Sequence, residues 1–181
     1  QMTIRKIIRM GNPVLREKAR AVTEEEILDQ TFSELISDMV DTLHDSGGIG
    51  LAAPQVGESI QIVVVEIPGG ETRYGFIPPL PLTTLINPII SITEAKEAGY
   101  WEGCLSIPGL RGFVERPQGI HIEGLGPEGN KISLQFDGFL ATVLQHELDH
   151  LDGKLYIDNI KSPELLVYEE EYLEFIAIQN E

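Results

Sequence analysis

"DGFLATVLQHELDHLDG", residues 137–153, decides how the rest of this chain is read. Asp137 stands where a cap would open a helix at Gly138, and Gly153 stands where one would end. At 3.6 residues per turn Leu140, Leu144 and Leu148 form one stripe, while Phe139, Val143, His146 and His150 share another. Of the four histidines in the chain, His146 and His150 lie one turn apart here, with Glu147 between them. Imidazoles at i and i+4 can grip one metal ion, and a glutamate after the first can reach a water bound to that metal. HExxH strings also arise by chance, and a paired-histidine face can be plain hydrogen-bonded surface. A third ligand would separate the two readings.

Around this helix the chain predicts shorter pieces. "TFSELISDMVDTLHDS" (31–46) places Phe32, Leu35, Ile36, Met39, Val40 and Leu43 at helical spacing, one buried stripe. "IQIVVVEI" (60–67) and "TLINPIISI" (84–92) are β-branched and predict buried strands. "GIHIEGL" and "KISLQF" flank the turn "GPEGN" and predict a hairpin. "PGGETRYGFIPPLPLTT" (68–84) reads as a surface loop, and Ser162-Pro163 as the start of a final helix reaching about Ile178. The expectation is an α+β fold: short antiparallel strands and hairpins around a central HExxH helix, with a C-terminal helix. One domain over 1–181 is expected, its core spanning about 4–158.

Composition narrows the partners. With 13 Lys plus Arg against 29 Asp plus Glu, the net charge is −16, so a nucleic-acid backbone would be repelled and is not expected as a substrate. No stretch approaches the roughly 20 apolar residues of a membrane span. "QMTIRKIIRMGNP" is too basic and too short in apolar run for a secretory signal, and Gln1 ahead of Met2 reads as a processing remnant. A single cysteine excludes an internal disulfide and suits a reducing, cytoplasmic setting.

Candidates for the third ligand lie on both sides of the helix. Downstream stand the carboxylates Asp152, Asp158, Glu164 and Glu169 to Glu171; upstream stands Cys104 in "YWEGCLSIPG". A lone cysteine is commonly a small buried hydrophobe. Here Gly103 and Pro108 bracket it in an irregular stretch, and charged Glu102 is close by, so a smoothly buried strand is not expected. A downstream carboxylate as third ligand describes a zinc endopeptidase. A site that makes no use of Glu147 describes a non-catalytic metal-binding module. The glycine-rich "GGIGLAAPQVG" (47–57) loosely matches a dinucleotide fingerprint at Gly48, Gly50 and Ala53. That fingerprint needs a strand before it and a helix after it; here a helix precedes and Pro54 obstructs one following, so nucleotide binding is rejected.

"GIGLAAPQ", "EGCLS" and "QHELDH", in this order and spacing, resemble the signature motifs of the peptide deformylases, and the similarity extends from about Ile4 to Asp158. "DGFLATVLQHELDHLDGKLYID" resembles the type 1 members, the bacterial and organellar kind. The resemblance implies a hydrolase that removes the N-formyl group from the initiator methionine of nascent polypeptides and releases formate. It implies Cys104, His146 and His150 as ligands of one divalent metal, iron(II) as the working ion with zinc or nickel found after purification. It implies Glu147 as the proton shuttle, with Gln55 and the backbone N–H of Leu105 as donors to the oxyanion. Glutamine suits that role because it donates without adding a charge that would hold the anionic product.

For the substrate it implies strand-like pairing with Ile49, Gly50 and Gly103, beside Gly48, and a methionine pocket lined by Ile49, Tyr100, Val143 and His146. Arg111, in "SIPGLRG", matches an arginine at the pocket mouth and could equally be a surface ion pair. Trp101 reads as a packing aromatic, and Asp149 as solvent-facing rather than a support for a ligand. Transient ribosome association is conceivable, but not through the C-terminal helix, where Lys161 is the last basic residue and Glu169, Glu170, Glu171 and Glu174 would repel phosphate. Leu165, Tyr168, Tyr172 and Ile176 on that helix could pack in cis or against a second copy.

Overall fold

The run "IVVVEI" alternates its side chains between two covered faces, and both are buried. This is strand β2 (Ile62–Ile67) in a computed structural model that describes residues 2–72 and 75–177. The sheet follows the order β1 (Gly50–Ala52), β2, β5 (Leu80–Cys104), β6 (Ile107–Leu125), β7 (Lys131–Asp137), every pair antiparallel. A further strand, β8 (Leu166–Tyr168), shares β6 with β7: β8 pairs Leu110–Gly112 and β7 pairs Gly119–Leu125. Strands β3 (Gly70–Thr72) and β4 (Gly75–Ile77) form a separate hairpin. The helices are α1 (Glu24–Ile27), α2 (Gln30–Ser46), α3 (Gly138–Asp149) and α4 (Glu169–Glu171).

Helix α2 packs on one face of the sheet, where Phe32, Leu35, Met39 and Leu43 meet Leu51, Ile62, Val64 and Ile86. Helix α3 packs in the other core, where Leu140, Ala141, Val143 and Leu144 meet Val63, Val65, Ile120 and Phe136. Each fully buried aliphatic side chain contributes about 1.5–3 kcal/mol relative to exposure, so these two layers hold the frame. A third, smaller cluster of Ile107, Val114, Leu155 and Tyr156 supports the end of β5 that carries Cys104.

The expected α+β architecture is present, with several boundaries moved. Strand β5 is 25 residues long rather than ending at Ile92, and its far half builds the "YWEGC" wall; Cys104 ends this strand rather than sitting in an irregular stretch. Pairing over that half comes from β6, a neighbour that local composition does not reveal. The 68–84 stretch is no plain loop: it holds the β3–β4 hairpin and the start of β5, with Arg73 and Tyr74 outside the described residues. Asp137 makes no side-chain cap; Gly138, at φ +63°, turns the chain into α3 instead.

The C-terminal helix is shorter than expected. Pro163–Leu165 is a 3-10 turn, Leu166–Tyr168 pairs with β6, and helical structure begins only at Glu169, continuing as a π-turn over Tyr172–Ala177. Backbone pairing to an open strand flank overrides the proline-initiated helix. Ile178 lies outside the described residues.

Candidate active site

Helix α3 delivers two imidazoles and a carboxylate from one buried face: His146, Glu147 and His150 are all buried. The β5–β6 hairpin delivers the sulfur. Register slips between Glu102 and Cys104, a bulge-like irregularity that re-aims Cys104 at the strand end. Its Sγ lies 3.5 Å from His150 Nε2, and the ligand atoms of Cys104, His146 and His150 all lie within 4.8 Å of one another. Ligand bonds of about 2.0–2.3 Å around one ion separate the donors by roughly 3.5 Å, so the three fit a metal after small adjustment. No other such group of His, Cys, Asp or Glu occurs among the described residues. None of the downstream carboxylates joins this group; Asp158 is paired with Arg16 at 2.7 Å, and Glu169 with Arg111 at 3.0 Å.

A buried scaffold fixes the first imidazole. His146 Nδ1 donates to Glu102 Oε1 at 2.8 Å, which leaves Nε2 as the ring nitrogen available to a metal. Glu102 accepts two further bonds from Arg116, Nε at 2.8 Å and Nη2 at 3.1 Å, and Arg116 Nη1 reaches Asp149 Oδ2 at 2.8 Å. Asp149 is therefore tied to the support of a ligand, not turned to solvent as expected. Burial alone would raise the Glu102 pKa, but hydrogen bonds from His146 and Arg116 hold it below the usual value. Burial likewise opposes charge on His146, yet Cys104 and Glu102 outweigh it and lift its pKa well above normal. His150 is pushed well below, by burial and by the charge of His146. Its Nδ1 has no protein partner within the buried surroundings.

Glu147 is incompletely satisfied as well. Its Oε1 is buried without a hydrogen-bond partner, and burial raises its pKa to about 7. A buried carboxyl poised near neutrality, beside a metal-ligand cluster, has the properties of a proton carrier. The reason for Gly50 becomes visible here: a Cβ at that position would lie 2.6 Å from the Glu147 carboxyl. Gln55 sits on the 3-10 turn Ala53–Val56 and is almost fully buried. Its Oε1 accepts from Ala52 N at 3.0 Å, so its Nε2 turns toward Ser106 Oγ at 3.1 Å and Cys104 Sγ at 3.6 Å. Leu105 occupies the two-residue turn between Cys104 and its cross-strand partner Ile107, next to the sulfur.

These residues open into a cavity of about 580 Å³. Gly48, Ile49, Gly50, Gly103, Val143 and Arg111 line it as expected, but Tyr100 does not. The Tyr100 ring meets Phe139 edge-on at 5.4 Å and its hydroxyl reaches Gln118 at 3.3 Å. Phe139, Thr142 and Trp101 line the cavity in its stead. The contacts with Phe139 and Gln118 keep the Tyr100 side chain outside the lining. Trp101 also packs on Phe113 and Tyr172, so lining and packing coincide in one ring. Arg111 likewise fulfils both of its readings, lining the mouth while paired with Glu169. Sequence reasoning missed Glu102 and Arg116. Glu102, two positions before Cys104 on a strand, carried a hint; Arg116, which meets Glu102 only across the β5–β6 hairpin, carried none.

Known proteins carry the same pattern. The family model for polypeptide deformylase matches residues 4–165. The peptide deformylase of Leptospira biflexa is 42% identical over 170 residues, covering 94% of this chain and 95% of the relative; that of Halothermothrix orenii is 44% identical over 159 residues, covering 88% and 95%. Among solved structures, the Met-Ala-Ser-bound class I type b peptide deformylase from Acinetobacter baumannii aligns with a TM-score of 0.82 at 30% identity, covering 88% of this chain and 100% of that one. The enzyme from Thermotoga maritima aligns at 0.76 and 33%, covering 88% and 99%. The chain belongs to the polypeptide deformylase family, hydrolases that take the N-formyl group from the N-terminal formylmethionine of newly made proteins.

Proposed function

We propose that Cys104, His146 and His150 hold one divalent metal and that Glu147, Gln55 and Leu105 carry out deformylation beside it. The observation that carries this reading is the cluster of three donors within 4.8 Å of one another, two of them flanking a Glu147 whose Oε1 is buried without a partner. A divalent metal held there supplies Lewis acidity and a water acidified toward neutral pH. Glu147 would accept at its carboxylate a proton from the water whose oxygen adds to the formyl carbon, and would pass that proton to the amine nitrogen as the C–N bond breaks. Gln55 Nε2 and the Leu105 N–H donate to the formyl oxygen as it gains negative charge. Both are preorganised: the Gln55 amide is pinned by the Ala52 N–H, and Leu105 by the hairpin turn.

The peptide lies along Ile49, Gly50 and Gly103, beside Gly48, with the methionine side chain toward Val143 and His146 and Arg111 at the mouth. The apolar lining from Ile49, Phe139 and Val143 supports this, as does the Met-Ala-Ser peptide in the Acinetobacter relative. Iron(II) is the working metal on the family resemblance, though the donor set suits zinc and nickel equally well. Anaerobic purification with metal analysis, followed by formate release from formyl-Met-Ala-Ser with each ion loaded, tests the reading. Formate release without a metal requirement would overturn it.

The enzyme forms one domain, works in the cytoplasm and meets the ribosome only transiently. No helix among the described residues is long and apolar enough to cross a membrane. Nothing after Lys161 is basic, so the C-terminal segment does not dock on RNA. Cutting the chain after Pro163 leaves co-sedimentation with ribosomes unchanged while lowering stability or altering oligomeric state; weakened co-sedimentation with fold and assembly intact would contradict this.

A further inference from the structure

The mouth of the cavity carries one pair of opposite charges, and the chain's own C-terminal segment supplies half of it. Strand β8 is hydrogen-bonded along Leu110–Gly112, which sets Val167 opposite Arg111. Two residues on, Glu169 lines the cavity and its Oε1 accepts from Arg111 Nη2 at 3.0 Å. Tyr172, buried, packs on the cavity-lining Trp101 at 5.7 Å and lies beneath the Arg111 guanidinium, 5.6 Å from its ring centre. On another side the guanidinium rests against Gly103, where a Cβ would come within 3.0 Å of Nη1. Arg111 is thus bounded by a carboxylate, an aromatic face and a glycine, two of the three from residues 169–172. Among the described residues, the other ionisable Glu and His side chains lining the cavity, Glu102, His146 and Glu147, are buried. Arg111 and Glu169 are each partly exposed, with side-chain exposures of 33% and 42%.

We infer that the C-terminal segment is one wall of the peptide cleft and that Glu169, by occupying Arg111, sets which side chains are accepted after the formylmethionine. This rests on the proposal that the substrate peptide lies in this cavity. With Glu169 present, an acidic side chain must compete for an arginine already paired and approach a carboxylate, while a lysine or arginine side chain meets the acidic partner. Glu169 is a positioning and selecting residue; it touches no reacting atom.

The test uses Glu169→Gln and two C-terminally amidated formyl-Met peptides that differ only in Lys or Asp at the third residue. The ratio of their kcat/KM values is independent of the active enzyme fraction, so partial loss of fold does not obscure it. The ratio of Lys to Asp peptide is expected to fall about two- to fivefold in the variant, within the range for partly exposed charge pairs, with the change in KM rather than kcat. The effect should fade at about 1 M salt, where the screening length is near 3 Å. Glu169→Asp, with its charge retained, should restore most of the ratio. An unchanged ratio, or one that changes without fading in salt, overturns the inference. Glu147→Gln run on the same two peptides keeps the readings apart: loss of both activities with an unchanged Glu169→Gln ratio sinks the inference and leaves the site standing.

Discussion

Helices α2 and α3 lie in the two main cores around one sheet and spend their polar residues in opposite ways. In α2 the apolar stripe of Phe32, Leu35, Met39 and Leu43 is buried, Asp29 caps the first turn, and Gly47 closes the last. The polar groups that are covered find partners: Asp38 pairs with Arg5, and the buried Thr42 hydroxyl donates to the Asp38 carbonyl and accepts from Arg5 N. In α3 the stretch from Leu140 to Leu148 is buried throughout, and it includes Thr142, Gln145, His146 and Glu147. Burying such groups costs several kcal/mol unless each finds a partner. Gln145 finds the Pro117 and Ala141 carbonyls, and His146 finds Glu102. Glu147 does not find one for Oε1. A helix built for stability leaves no such remainder. The orphaned oxygen is a cost in stability that α2 does not carry.

The contrast can be broken first at Glu147. Glu147→Gln is expected to keep stoichiometric metal yet lose ~100 to 10,000-fold in deformylation, the usual worth of a proton shuttle. Retention of half the activity would remove Glu147 from the mechanism. The same variant has a stability signature in the metal-free protein. The folded pKa of Glu147, about 7, lies above its ordinary 4.5, so the wild-type contribution is present below pH 4.5 and lost as pH rises to about 7. Thermal melts of the metal-free protein across this window should therefore show Glu147→Gln gaining on wild type as pH rises; parallel curves would contradict the burial argument.

Next comes Gln55→Leu, which should lower kcat by ~100-fold while leaving metal content intact, as loss of one oxyanion donor does. A change confined to KM would exclude that role. Glu102→Gln tests the support beneath His146 and should weaken metal affinity by about 10- to 100-fold, read by competition with a chelator. Smallest in its effect on turnover is Leu43→Ala in α2. It should cost about 2–5 kcal/mol in denaturant unfolding, with kcat per folded molecule unchanged.

The same contrast explains what could be read before any coordinates. Periodicity announces α2, and it announces α3 with its histidines, because both signals are local and recur every turn. The β5–β6 wall did not announce itself beyond Ile92. "TEAKEAGYWEGC" lacks the apolar run of a buried strand, and its extended form comes from pairing with residues up to 25 positions away in β6, as between Glu94 and Gly119 at its start. The sequence reading assigns Tyr100 to the cavity and Trp101 to packing; the Tyr100 ring packs on Phe139 of α3 and its hydroxyl reaches Gln118 of β6, contacts between elements that no local pattern reveals. Arg116 escaped for the same reason, since its partners Glu102 and Asp149 lie on two different elements. The C-terminal strand escaped because proline signals a helix start locally, whereas the open flank of β6 is a property of the whole sheet.

Gly50 carries no reactive atom, yet the space it leaves empty is where the Glu147 carboxyl rests. In a saturation scan, position 50 should therefore tolerate replacement as poorly as position 147 itself. Even alanine would displace the carboxyl, and the variants would be inactive but folded. A map of intolerant positions drawn from activity alone would place this glycine among the acid–base residues, and a map drawn from stability would pass over it.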